Sequence, residues 1–175
     1  MNKDYTVYNY KTINASKVHK YKLLDAVGAF GYEIVETKES GSLISLTLKR
    51  ESELKNKEQL DKLFDELLVD FNDLSNYEKN IKLTARITSI IIGIIGLLTF
   101  GGGMSMFMVN DTISYQIGGV IIGSVGLLIM LITDLLYKKM YNKSNKKYIP
   151  KINELNEKIN DICIKANRLL KESFE

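Results

Sequence analysis

In 175 residues the chain has one proline, one cysteine, one histidine and no tryptophan. The lone Cys163 excludes an internal disulfide and fits a reducing compartment. His19 lies far from it in sequence, on a lysine-rich stretch. It is read as a surface residue, and with no second ligand there is neither a metal set nor a nucleophile–base pair. No catalysis, cofactor or metal is therefore expected. With Pro150 alone there is no Pro-rich linker. A net charge of only +3 supplies no basic field for nucleic acid. The run Phe100-Gly101-Gly102-Gly103 lacks the Lys-Ser/Thr that a phosphate loop needs.

Charge itself is missing from two runs, residues 87–110 between Arg86 and Asp111, and residues 112–133 between Asp111 and Asp134. A hydrocarbon core of roughly 30 Å takes about 20 apolar residues at 1.5 Å each, so either run spans it. The alternative is a hairpin buried in a soluble core, but so short a chain has little other apolar sequence to cover two helices that are apolar all round. The pattern predicts transmembrane helices over 87–109 and 113–135, joined by an external turn at 110–112, where Asn110 and Asp111 can bond their own backbone. Lys79, Lys82 and Arg86 precede the first run; Lys138, Lys139, Lys143, Lys146 and Lys147 follow the second. The turn carries no positive charge, so both termini are expected in the cytoplasm. The N-terminal stretch MNKDYTVYNY has no apolar segment to export it. The basic residues after the second run are expected to contact anionic lipid. Asp134 falls near the cytoplasmic interface, where a carboxylate needs no relay role.

Outside these runs, residues 1–50 read as strand, helix, strand, strand. Tyr, Thr and Val dominate YTVYNYKT. Ser16 can cap a helix with Tyr21, Leu24 and Val27 on one face, and Gly28 and Gly31 supply its stop and turn. YEIVETK and SLISLTLKR flank the turn signal ESGS, with Ile44, Leu46 and Leu48 facing one way and Ser45 and Thr47 the other. The motifs YNYK, LDAVGAFGYEIV and LTLKR resemble a small bacterial domain-of-unknown-function family over residues 5–50. Leu24, Gly28, Gly31, Glu33 and Val35 fall on its pattern; Tyr32 stands where Trp is common and Phe30 where an acidic residue is usual. The resemblance implies a compact domain of a bacterial protein, with no established activity.

From 52 to 84, Leu60, Leu67, Leu74 and Ile81 recur every seven residues with Phe64 and Phe71 between them. After Pro150, placed to open a new helix, Ile152, Leu155, Ile159, Ile162, Ala166 and Leu169 keep 3/4 spacing. A membrane hairpin would deliver these two seams side by side. The fold class expected is thus an α+β head (β-α-β-β) joined to a two-helix transmembrane hairpin, which extends into an antiparallel cytoplasmic coiled-coil stalk formed by 52–84 and 138–175.

Within the apolar runs, Ser89 with Gly93, Gly101 with Ser105, and Gly119 with Gly123 have small-xxx-small spacing. They serve packing within the hairpin or between chains. Two function classes follow. One is a membrane-anchored interaction or scaffold module whose head docks an unidentified protein by its sheet edge or by Tyr5, Tyr8 and Tyr10. The other is a membrane-active homo-oligomer, a pore-former or holin-like effector, with only Ser105, Gln116 and Ser124 to line it. A toxin-immunity protein would share the first architecture. The expected partners are membrane lipid, an unidentified protein and further copies of the chain; the expected location is the bacterial cytoplasmic membrane.

Overall fold

The computed structural model describes residues 7–109 and 112–174. Three strands, β1 (Tyr8–Ser16), β2 (Glu33–Ser40) and β3 (Leu43–Glu51), form an antiparallel sheet in the order β1-β3-β2. Between β1 and β2 come a single 3-10 turn (Lys17–His19) and α1 (Lys20–Ala29); two long helices follow, α2 (Lys57–Val109) and α3 (Ile113–Glu172). This is an α+β head with a long helical region.

Contacts divide the chain into two compact units, Met1–Tyr77 with Lys151–Glu175, and Glu78–Pro150. In the first, side-chain alternation along β3 sets the core: Ile44, Leu46 and Leu48 are fully buried, with Ile13 of β1 beside them. Leu23, Ala26 and Val27 of α1 close over them. The helix face therefore differs from the one expected, since Tyr21 is exposed and Leu24 only partly buried. Ser16 makes no capping hydrogen bond, because the 3-10 turn intervenes before α1 starts at Lys20. Gly31 supplies the turn with φ +74°, and Gly41 opens the two-residue β2–β3 hairpin with φ +58°, a conformation that side chains with a Cβ resist.

Leu60, Phe64, Leu67, Phe71 and Leu74 of α2 and Ile159, Ile162 and Ala166 of α3 belong to the same core cluster as the sheet and α1. Both seams therefore contribute to one core with the head. Phe64 lies edge-on to Phe30 at 5.2 Å and against Tyr32 at 4.8 Å. Asn56 precedes the first turn of α2: its carbonyl accepts from Leu60 N at 3.0 Å, and its Nδ2 donates to the Leu169 carbonyl at 3.2 Å. Lys158 bridges Glu66 at 2.9 Å and both oxygens of the buried Asp70 at 3.1 Å. His19, expected at the surface, is half-buried with its ring 6.4 Å from Phe71, because the 3-10 turn rotates it inward.

Pro150 does not open a helix. It sits inside α3, where its ring removes one hydrogen-bond donor and crowds the carbonyl of Lys146. Of the expected turn, Asn110 and Asp111 lie outside the described residues; Thr112 remains, its carbonyl accepting from Tyr115 N at 3.0 Å and Gln116 N at 3.3 Å.

Candidate functional site

In the second unit the helices meet through glycine. A Cβ placed on Gly103 would lie 2.4 Å from Gly123 N and 2.6 Å from the Gly119 carbonyl; one on Gly119 would lie 2.6 Å from the Gly103 carbonyl and 2.8 Å from Phe107 N. One on Gly126 would fall 2.4 Å from Phe100 N. Real Cβ atoms cannot come so near to backbone, so these three positions admit no other residue without moving the helices apart. Gly96, facing Ile129 and Met130, completes the row. The pairs Gly96–Gly126, Phe100–Gly126, Gly103–Gly123 and Phe107–Gly119 run in opposite chain directions, which makes the contact antiparallel.

The residues expected to pack the helices divide. Gly119 and Gly123 are in the contact, and Ser89 turns a buried Oγ inward. Gly93 and Gly101 have nothing within 4 Å of an added Cβ, and the exposed Ser105 donates to the Gly101 carbonyl at 2.9 Å. They form a second small-residue stripe on α2 that this chain leaves open. Gly96 and Gly126, which extend two of the expected faces, are in the contact as well; Gly103 is the one missed, because it follows Gly96 at seven residues, the spacing of a left-handed helix pair, and not at four. The same heptad arithmetic that found Leu60, Leu67 and Leu74 would have found it.

Both helices are long and apolar enough to cross a membrane, and only 11% and 17% of their most apolar windows is buried. Ile94 and Val120 are typical of the surface outside the contact, 52% and 55% exposed. A shallow apolar groove of about 210 Å³ beside the glycines is lined by Phe100, Met104, Phe107 and Leu127. Lys138, Lys139, Lys143, Lys146 and Lys147 are all exposed on α3, the first two within and the others beyond the stacked Tyr137–Tyr141 pair.

On the head, the sheet face away from α1 is open. Tyr8 and Tyr10 stand on it, exposed, opposite Glu51 and Lys49 of β3, with Lys49 Nζ 5.2 Å from the Tyr8 ring. Tyr5 lies outside the described residues. Lys49 pairs with Glu33 at 2.9 Å, and that hydrogen bond raises its pKa. At the far end of β3 the core-facing position is occupied by a charge. Arg50 is 3% exposed, stacks 4.4 Å over Tyr32 and binds Asp61 at the start of α2. Burial pushes the Tyr32 phenol up. Sequence reading missed Arg50, although its parity with Ile44, Leu46 and Leu48 places it on the core side. Beside it Tyr8, Arg50, Glu51, Leu170 and Phe174 line a pocket of about 230 Å³. Among the described residues no group of three or more His, Cys, Asp or Glu could hold a metal. Cys163 is half-buried, and burial pushes its thiol up, away from the reactive thiolate.

Glu39 on β2 is gripped by Lys17 and Lys20, the latter at 2.7 Å, and hydrogen bonds from Lys17 and then Lys20 hold its carboxyl down at about 2. A depressed carboxylate stabilises the fold above its unfolded pKa, about 4.3, and loses that contribution as pH falls through the folded value. Thermal melts in detergent should therefore decline between about pH 4.3 and 2, and Glu39→Gln should flatten that part of the profile. An unchanged profile would mean that the carboxylate is not held.

No family model, no curated protein and no solved structure matches this chain.

Proposed function

We propose that the chain is a membrane-anchored interaction or scaffold module of a bacterium: α2 and α3 cross the cytoplasmic membrane as a hairpin, and a cytoplasmic head docks a protein partner. The observation that carries this reading is the apolar surface of the second unit. The glycine contact satisfies each helix on one narrow side, and the rest of the circumference is large aliphatic side chains without protein cover. An exposed apolar surface of that kind asks for lipid. The lysines after residue 137 and those before residue 87 then sit on one side, the cytoplasmic one, against anionic headgroups. The heptad seams act as a coiled-coil stalk continuous with the head, and the resemblance of residues 5–50 to a small bacterial domain agrees with a compact binding unit.

Topology is tested by labelling single cysteines at positions 2, 111 and 175 in a Cys163→Ser background. Impermeant reagent added to intact cells should reach position 111 and neither end; modification at position 2 or 175 would overturn the reading. The docking role is tested by transplanting the head to an unrelated anchor. Because Ile159, Ile162 and Ala166 complete its core, the transplant must carry residues 1–77 and 151–175 together.

A second reading is favoured by the open stripe of Gly93, Gly101 and Ser105, which suits contact between chains: a membrane-active oligomer, a pore-former or holin-like protein. Recording membrane potential during overexpression separates the two. The anchor leaves the potential intact, whereas an oligomeric pore collapses it and a Gly93→Leu, Gly101→Leu chain restores it.

A further inference from the structure

We infer that β2 pairs with the β2 strand of a second copy of this chain, joining two heads into one six-stranded antiparallel sheet. Among the described residues β2 is a free edge, since the sheet order β1-β3-β2 leaves one side of its backbone without a strand neighbour. All eight of its residues are exposed, among them Ile34 and Val35. Exposed edges of this length are commonly blunted by a covering loop or helix, and an uncovered one is a template for another strand. The register shift of β2 against β3 falls between Ile34 and Glu36, so the stretch Glu36–Ser40 remains regular and available.

The charges of β2 identify the occupant. In a two-fold antiparallel pairing centred on Thr37, Glu36 of each copy faces Lys38 of the other, which gives two opposite-charge pairs and no like-charge pair. Ile34 faces Ser40 and Val35 faces Glu39, whose carboxylate is already held by Lys17 and Lys20. Centring on Glu36 or on Lys38 puts like charges together, and centring between Thr37 and Lys38 opposes Glu36 to Glu39; directly opposed like charges destabilise a sheet. Glu36 and Lys38 already lie 3.0 Å apart along their own strand, both well exposed, so either can turn to the neighbour without leaving a core. The other edge lacks this complementarity. The described part of β1 carries a single charged residue, Lys11, and that is bound to Asp65 of α2 at 2.6 Å. The inference concerns the head alone and holds whether or not the helices cross a bilayer.

The test uses the full chain in detergent, with Cys163→Ser throughout. Across the two-fold axis the Thr37 Cα atoms are about 4.5–5.5 Å apart, within disulfide range. Thr37→Cys should give a covalent dimer on mild oxidation, and Thr12→Cys on β1 should stay monomeric. Adding Lys38→Glu to Thr37→Cys should abolish the dimer, and Glu36→Lys with Lys38→Glu should restore it. Melting curves should match throughout, since every changed side chain on β2 is exposed. Absence of the Thr37→Cys dimer, equal cross-linking at Thr12→Cys, or a dimer indifferent to Lys38→Glu would overturn the pairing, and failure of the swapped chain to recover would overturn the register.

Discussion

Gly103→Ala should separate α2 from α3 in the second unit, lowering resistance to SDS titration in mixed micelles by about 3 kcal/mol or more. Overfilling a packed contact costs typically 1–3 kcal/mol when side chains can yield, and here the added methyl meets backbone. Its nearest neighbours would be Gly123 N at 2.4 Å and the Gly119 carbonyl at 2.6 Å, neither of which can rotate away. Gly119→Ala and Gly126→Ala should behave alike. Gly123→Ala should be tolerated, since its Cβ would meet only the Phe100 ring at 4.0 Å. Gly93→Ala and Gly101→Ala point into open space and should leave the contact intact, gaining up to about 1 kcal/mol from helix propensity. Equal behaviour of Gly103→Ala and Gly101→Ala would refute the backbone contact.

Leu67→Asp should unfold the first unit while leaving the chain in the membrane fraction. The side chain is fully buried in the cluster that joins head and helices. The substitution removes about 2–3 kcal/mol of apolar burial and adds several kcal/mol for a carboxylate without a partner. That sum takes up much of the roughly 5–15 kcal/mol by which a domain is stable. Ile159→Asp should act the same way from α3. Val69→Asp, two residues on at a site 59% exposed on the opposite side of the helix, is the control and should leave limited proteolysis unchanged. Protease resistance of Leu67→Asp equal to that of the control would mean that the seam is not packed.

Patterns with a strong period were legible before any coordinates. Alternation through Ile44, Leu46 and Leu48 gave the buried face of β3, and heptads gave the inward face of α2, because burial imposes its period directly on residue type. Local boundaries were less legible. The 3-10 turn at Lys17–His19 moved the inward face of α1 from Tyr21 to Leu23 and half-buried His19, and nothing in the residue types announces such a turn. Pro150 misled for a different reason: a proline at the first turn and one tolerated within a long helix look identical in sequence, and packing decides between them. The glycine contact was seen in part, since a search at four-residue spacing finds Gly119 and Gly123 and passes over Gly103. Arg50 was missed because a buried charge contradicts the expected polarity, and its partners make it tolerable: Asp61, eleven residues on, the Tyr32 ring and the Phe30 carbonyl.

The sharing of one core by Phe64, Leu67, Ile159 and Ala166 bears on how the chain is made. The ribosome completes the sheet, α1 and the start of α2 well before the α3 residues that seal their apolar face emerge. At about 5–20 residues per second, the roughly 100 intervening residues leave that face uncovered for about 5–20 s. Throughout that interval the nascent head exposes Phe64 and Leu67 to solvent. It therefore calls for a chaperone, and a chain cut short before residue 151 would be an aggregation-prone stub.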